Sequence, residues 1–226
     1  MTRCDSLPIQ ENFIQNKTKL NDKKNFILLS LWIIIGAFLR FHQLTSKSPW
    51  TDEFATLVFS LGNNFTSIPL NQIISSETLL QPLQINPNAN ISDVVNLLLN
   101  EDNHPPLYFV LLHLWLNLFS SSGETVNLWA GRALPVLFGI LAIPAFYFVA
   151  KNIFRSSLIA HFSALLIAVS PYSIFISQEA RHYTCAVLFV ILSLGCFLKA
   201  AQCLASRKKL PWSLIFSWIM INGIGF

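Results

Sequence analysis

The sequence predicts an all-α fold, a polytopic transmembrane helical bundle with a large non-cytoplasmic first loop containing juxtamembrane helices. Three observations predict it. Only 12% of the 226 residues are charged while 53% are hydrophobic, and mean hydropathy is +0.53. Soluble domains carry about 25% charged residues, so half of the expected water-facing charge is missing. Phe occurs 19 times and Trp six, which suits lipid-facing surface and aromatic belts. Lys and Arg gather in short clusters between apolar runs, the way a multi-span protein encodes its orientation. This composition excludes disorder and disfavours an ordinary cytosolic globule. A net charge of +4 with no basic stripe among aromatics leaves no nucleic-acid footprint. Cys4, Cys185, Cys196 and Cys203 form no CxxC or Cys/His spacing, so neither a disulfide framework nor a zinc site is expected.

Residues 1–25 form a polar tail with Lys17, Lys19, Lys23 and Lys24. From Phe26 the chain is almost free of polar atoms as far as Leu39, and a first span over 26–44 follows if Arg40 and His42 snorkel to the interface. The run is longer than a signal h-region and lacks a small-residue cleavage site, so it is expected to stay as an anchor. Further spans are expected at 128–150, 158–177, 184–204 and 210–226. Placing the tail in the cytoplasm puts Lys151 and Arg155, and Arg207-Lys208-Lys209, on the same inner side, as the positive-inside rule asks. Segments 45–127 and 178–183 then lie outside.

The apolar run 105–119 is only about 15 residues long and contains His113 and Asn117. Runs of that length are often interfacial. It is expected to lie against the outer leaflet as a juxtamembrane helix; the alternative, a short true crossing, would break the charge rule. The rest of the 45–127 loop has helical starts of its own. Thr51 is expected to cap a helix opening with Asp52 and Glu53, and Ser92 to cap 93–100, with an irregular Asn/Pro/Ser-rich stretch over 63–90 between them.

The outer acids are few: Asp52, Glu53, Glu77, Asp93, Glu101, Asp102, Glu124 and Glu179. Asp52-Glu53 follows Ser48-Pro49-Trp50-Thr51 soon after the first span, and Glu179 sits in a loop too short to leave the interface. Two carboxylates and Arg181 are thereby expected at one membrane-level cleft. Capping and snorkelling are the competing structural explanations of these charges. Arg132, four residues into its span, needs a partner or a cavity, since a charge at a span centre costs about 2.5–3.5 kcal/mol and somewhat less near an end. In Asn103-His104-Pro105-Pro106-Leu107-Tyr108 the prolines suit a first helical turn, leaving His104 at its mouth.

The ordered set Trp50-Thr51-Asp52-Glu53, His104-Pro105-Pro106-Leu107-Tyr108, Gly131-Arg132-Ala133-Leu134-Pro135 with Gly139, and Ser170-Pro171 leading to Ser177-Gln178-Glu179-Ala180-Arg181-His182-Tyr183 resembles the N-terminal portion of membrane-embedded C-type glycosyltransferases. Within them it is most similar to the family-39-like group, which includes protein O-mannosyltransferases and aminoarabinose transferases. The resemblance covers roughly 26–205. It departs at Thr51, where a small or aliphatic residue is usual, and in length, since such enzymes continue through further spans; the chain is therefore expected to be a truncated form.

The resemblance implies a polyprenyl-phosphate-linked sugar as donor, a glycan, lipid or protein acceptor on the non-cytoplasmic face, and a plasma-membrane or endoplasmic-reticulum location. It makes Asp52 the catalytic base, with Glu53 beside it and Glu179 assisting. Phosphate leaving the anomeric carbon needs fixed positive charge, for which Arg132, Arg181, His104 and Tyr183 are the candidates. Asp52 and Glu179 could share a divalent metal ion or act without one, and no other cofactor is implied. The rival expectations are a transporter subunit, disfavoured because the charges cluster at span ends, and a non-catalytic fragment that binds polyprenyl phosphate.

Overall fold

The computed structural model describes residues 8–66, 68–69, 71–119, 124–206 and 211–225, with side chains from residue 21 onward. Cys4, the side chains of Lys17 and Lys19, and Arg207 through Leu210 lie outside the described residues. Within them the chain is 74% helical, with one isolated antiparallel bridge, Gln84 to Thr125, and no strand. It is a polytopic helical membrane bundle: three helices are long and apolar enough to cross a bilayer, or four if one bent pair is a single span.

Helix α1 (Pro8–Phe41) carries the first apolar stretch, Asn21–Phe41, and ends where Gln43 turns into positive φ. α2 (Thr51–Ser60) starts with Asp52 and Glu53 in its first turn, where carboxylates suit the positive end of the helix dipole. The N-cap is Trp50, with no side-chain cap bond, so the expected Thr51 cap is not made. Thr51 is already inside the helix, one residue too late to reach its free amides. Within the stretch expected to be irregular, α3 (Ser76–Leu80) and a 3₁₀ turn at Gln81–Leu83 form short helical pieces.

α4 (Ile91–Glu101) also starts earlier than expected. Asn90, not Ser92, is its cap, and Asp93 answers it by accepting from the Asn90 amide, a complete capping box. α5 (Pro106–Asn117) opens on the two prolines. At 12 residues it is about 18 Å long, short of a bilayer core. It rests on α2 through His113 Nδ1 and Ser60 O, 2.8 Å apart, and its Trp115 donates to Ala130 O. Together α2, α4 and α5 bury Leu57, Val58, Val94, Phe109, Leu112 and Leu116 in a core of their own.

α6 (Leu128–Phe154), α7 (Ser157–Val169), α8 (Pro171–Ser177), α9 (Tyr183–Ala205) and α10 (Trp212–Gly225) complete the chain. α6 starts on an Asn127 cap and stops where Arg155 turns left-handed at φ 52°. α7 packs on α1 and α6 through Ala160, Ala164 and Ala168, all fully buried and spaced by four. Small residues at that spacing let membrane helices approach closely. The span expected over 158–177 is bent by 55° between α7 and α8. Pro171 has no N–H for the Ile167 carbonyl and so ends the ladder there. α10 has only 14 residues and packs on α9, tied by Asn222 to Ser193.

Arg40 does not snorkel. It is fully buried, and all five of its N–H groups have acceptors: Ser177 Oγ, Gly36 O, Ala168 O, Ile167 O and Ser173 Oγ, at 2.8–3.2 Å. The break between α7 and α8 leaves the Ile167 and Ala168 carbonyls free to accept from this guanidinium, at 2.9 and 3.0 Å.

Candidate active site at the end of the bundle

One end of the bundle brings together the first turn of α2, the start of α6 and the 178–182 loop between α8 and α9. At its base lies a buried ion pair. Arg132 Nε and Nη2 donate to Glu53 Oε1 and Oε2, each at 2.7 Å, and Nη1 donates to Leu44 O and Lys47 O. Glu53 is fully buried, Arg132 nearly so, and Glu53 Oε1 also accepts the Ala180 amide at 2.8 Å. A single carboxylate thus joins α2, α6 and the loop. Gly131 lets this happen: a Cβ there would lie 2.8 Å from Leu57 Cδ2. With four of its five N–H groups engaged, Arg132 presents almost nothing to a phosphate.

Arg181 is the opposite case. Its Nη1 donates to Thr56 Oγ1 at 2.7 Å and Asp52 O at 3.1 Å, and Nη2 stands 3.7 Å from Asp52 Oδ2. Its buried Nε has no partner. The guanidinium lies against the rings of Tyr183 and Trp50, at 5.3 and 6.0 Å. The Asp52 side chain is 48% exposed, so this carboxylate, unlike that of Glu53, faces open space.

Glu179 lies at the mouth of the same end, half-buried. Burial raises its carboxyl pKa above the usual range and nearby Glu53 adds to this, with Arg132, Lys47 and Arg181 opposing. It lines an open groove of ≈ 550 Å³ with Lys47, Trp50, Tyr172, Phe175, Ile176 and Tyr183. One wall is the apolar face of α8; the other end is charged. Lys47 Nζ sits 4.8 Å above the Phe175 ring.

His104 stands in a second group. Its Nδ1 is 2.6 Å from Asp102 Oδ1, and its ring is 4.9 Å from that of His182. His182 in turn is 4.9 Å from the Tyr183 ring, so the two groups are continuous. Buried Tyr108 Oη and His182 Nδ1 both lack partners. Burial, then Arg181 and His104, push His182 down to about 4, against a weaker opposing effect of Asp102. Among the described residues no three His, Cys, Asp or Glu side chains are grouped to hold a metal ion; Asp52 and Glu179 lack a third ligand.

Of the expected residues, Asp52, Glu53, Glu179, Arg132, Arg181 and Tyr183 meet at this end, with His104 reached through His182. Sequence reasoning missed Lys47, Asp102 and His182 as members. Asp102 had a signal, a carboxylate two residues before a histidine; Lys47 was legible only as the first cation beyond the first span.

Residues 85–222 match the family model described as dolichyl-phosphate-mannose-protein mannosyltransferase. The match includes His104, Arg132, Glu179, Arg181 and Tyr183, and begins after Asp52 and Glu53. No curated protein and no solved structure matches the chain.

Proposed function

The chain belongs to the dolichyl-phosphate-mannose-protein mannosyltransferase family, a family of glycosyltransferases that use polyprenyl-phosphate sugars, and from that premise we propose that it transfers a mannosyl residue from a polyprenyl phosphate to a protein hydroxyl. Transfer takes place on the non-cytoplasmic face, with the Lys151 end of α6 in the cytoplasm. One observation carries the reading: the open carboxylate of Asp52, the half-buried carboxyl of Glu179 and the under-coordinated guanidinium of Arg181 share one end of the bundle, beside a groove with an apolar wall.

In this reading the isoprenoid lies along α8, against Tyr172, Phe175 and Ile176, and its phosphate meets Lys47 and Arg181. Arg181 is suited to the task because its free Nε can join Nη2 in a fork that matches two phosphate oxygens. The acceptor oxygen attacks the anomeric carbon, the bond from that carbon to the phosphate oxygen breaks, and polyprenyl phosphate leaves. The acceptor proton passes to Asp52, the exposed base. One displacement inverts the anomeric centre. Glu53 and Arg132 hold α2 and the 178–182 loop in register, and Glu179 orients the acceptor when ionised. Positive charge fixed where phosphate charge develops lowers the barrier without reorganisation.

The test is transfer of labelled mannose from a polyprenyl phosphate to a peptide, using membranes that contain the full protein. Asp52→Asn should reduce transfer by about 100-fold or more while insertion and amount stay unchanged. Undiminished transfer in that variant would remove Asp52 from the chemistry.

A further inference from the structure

Arg40 lies in the apolar part of α1, fully buried, and among the described residues no carboxylate stands within ion-pair distance of it. A buried cation without a counter-charge is costly unless its donors are satisfied. Here all five are, and the acceptors have a pattern. Ile167 O is the carbonyl whose helical donor would be residue 171, a proline with no N–H. Ala168 O follows it at the bend, and Ser173 and Ser177 lie on α8 beyond it. The guanidinium replaces the donor that Pro171 lacks and sits at the negative C-terminal end of α7.

The contact is reciprocal. Gln178 Nε2 donates back to the free carbonyls at the end of α1, His42 O at 2.9 Å and Arg40 O at 3.1 Å, with Leu39 O at 3.4 Å. The C-terminal end of α7 is therefore capped by Arg40 of α1, and that of α1 by Gln178 at the end of α8. Two glycines leave the room: a Cβ on Gly139 would lie 3.0 Å from Arg40 Nε, and one on Gly36 3.1 Å from Nη1. Gln178 is adjacent to Glu179.

We infer that Arg40 and Gln178 form a two-way cap between α1 and the bent α7–α8 pair, and that Arg40 is a positioning residue that sets Glu179 and Arg181 against Asp52. The inference rests on the proposed transfer reaction for its kinetic consequence but not for its structural one. Lysine cannot replace Arg40, since three donors on one nitrogen cannot reach acceptors spread over α1, α7 and α8.

The experiment compares wild type, Arg40→Lys and Gln178→Ala as full chains in nanodiscs. Amide hydrogen exchange over 178–182 is read together with kcat, donor KM and the pH profile of transfer. Release of the loop should speed exchange there, lower kcat on the order of 10–100-fold with little change in donor KM, and move the acid limb to lower pH. That limb belongs to Glu179, faced by Glu53, Arg132, Lys47 and Arg181 and held above the usual carboxylate range by burial; water admitted to the loop returns it. A smaller folded fraction would lower kcat but leave the limb in place. If Arg40→Lys fails to insert, Gln178→Ala carries the same expectations. Unchanged exchange at 178–182 in a folded variant overturns the cap, and accelerated exchange with an unmoved acid limb overturns the positioning role. Wild type that transfers no mannose contradicts the function alone, and hydrogen exchange still decides the cap.

Discussion

At the scale of single residues, Glu53 and Asp52 are neighbours in sequence with opposite environments. Helix geometry turns adjacent side chains about 100° apart, so one carboxylate enters the protein and the other faces the cleft. Burial makes Glu53 indispensable to Arg132 and vice versa. Glu53→Gln strands a buried guanidinium and should cost about 3–5 kcal/mol, seen as a large drop in melting temperature in detergent. The double variant Glu53→Met, Arg132→Met removes both charges and should recover most of that loss, yet stay inactive because the Ala180 amide has lost its acceptor. His182 gives a pH test. Its folded-state pKa is lowered to about 4 from 6.5, so its contribution to stability is complete above pH 6.5 and is lost as pH falls toward 4. Thermal melts across that window should flatten in His182→Gln. None of these pairings was legible from the chain: Glu53 and Arg132 are 79 residues apart, and a sequence marks both as charges needing partners without saying which.

Among the elements, the sequence marks where helices begin and bend more clearly than how they are held. Pro171, inside the expected span 158–177, is a helix-breaking residue, and the chain bends by 55° there. Arg40 was misread because a cation near the end of an apolar run ordinarily reaches for water; nothing local reveals that a neighbouring helix offers unpaired carbonyls. Asn90 and Ser92 are both good caps two residues apart, and only the backbone turn chose between them. The glycines of this layer differ in a way that can be measured. A Cβ at Gly139 would run into Ser177 Oγ and lie 3.1 Å from Ser177 Cβ, at the end of α8. At Gly36 the nearest atom is Ile143 Cδ1, the end of a side chain. Gly139→Ala should therefore destabilise by about 1–3 kcal/mol, and Gly36→Ala by clearly less, in thermal unfolding of the purified protein. Equal effects would mean that α8 yields as readily as an isoleucine tip.

The whole molecule separates polar chemistry from basic anchoring along its long axis. Asp52, Glu53, Arg132, Glu179 and Arg181 occupy the end reached by the C-terminus of α1 and the N-terminus of α6. Asn25, Lys151, Arg155 and His161 belong to the other, where Asn25 Oδ1 meets His161 and Lys151 lies over the Tyr147 ring. This two-ended layout was the most legible feature of the sequence, because hydropathy and charge are summed over many residues and tolerate local error. It also yields the broadest prediction. In a cysteine-free background, single cysteines at Ser48, on the rim of the groove, and at Ser76, both exposed, should react with an impermeant thiol reagent from one side of sealed membranes. A cysteine at Arg155 should react only from the opposite side. The separation follows from α6: its 27 residues span about 40 Å, enough to cross the ≈ 30 Å hydrocarbon core and set its two ends on opposite faces. Labelling of positions 48 and 155 from the same side would mean that α6 does not cross. Either the acids and Arg181, or Lys151 and Arg155, would then face a compartment different from the one the positive-inside rule assigns.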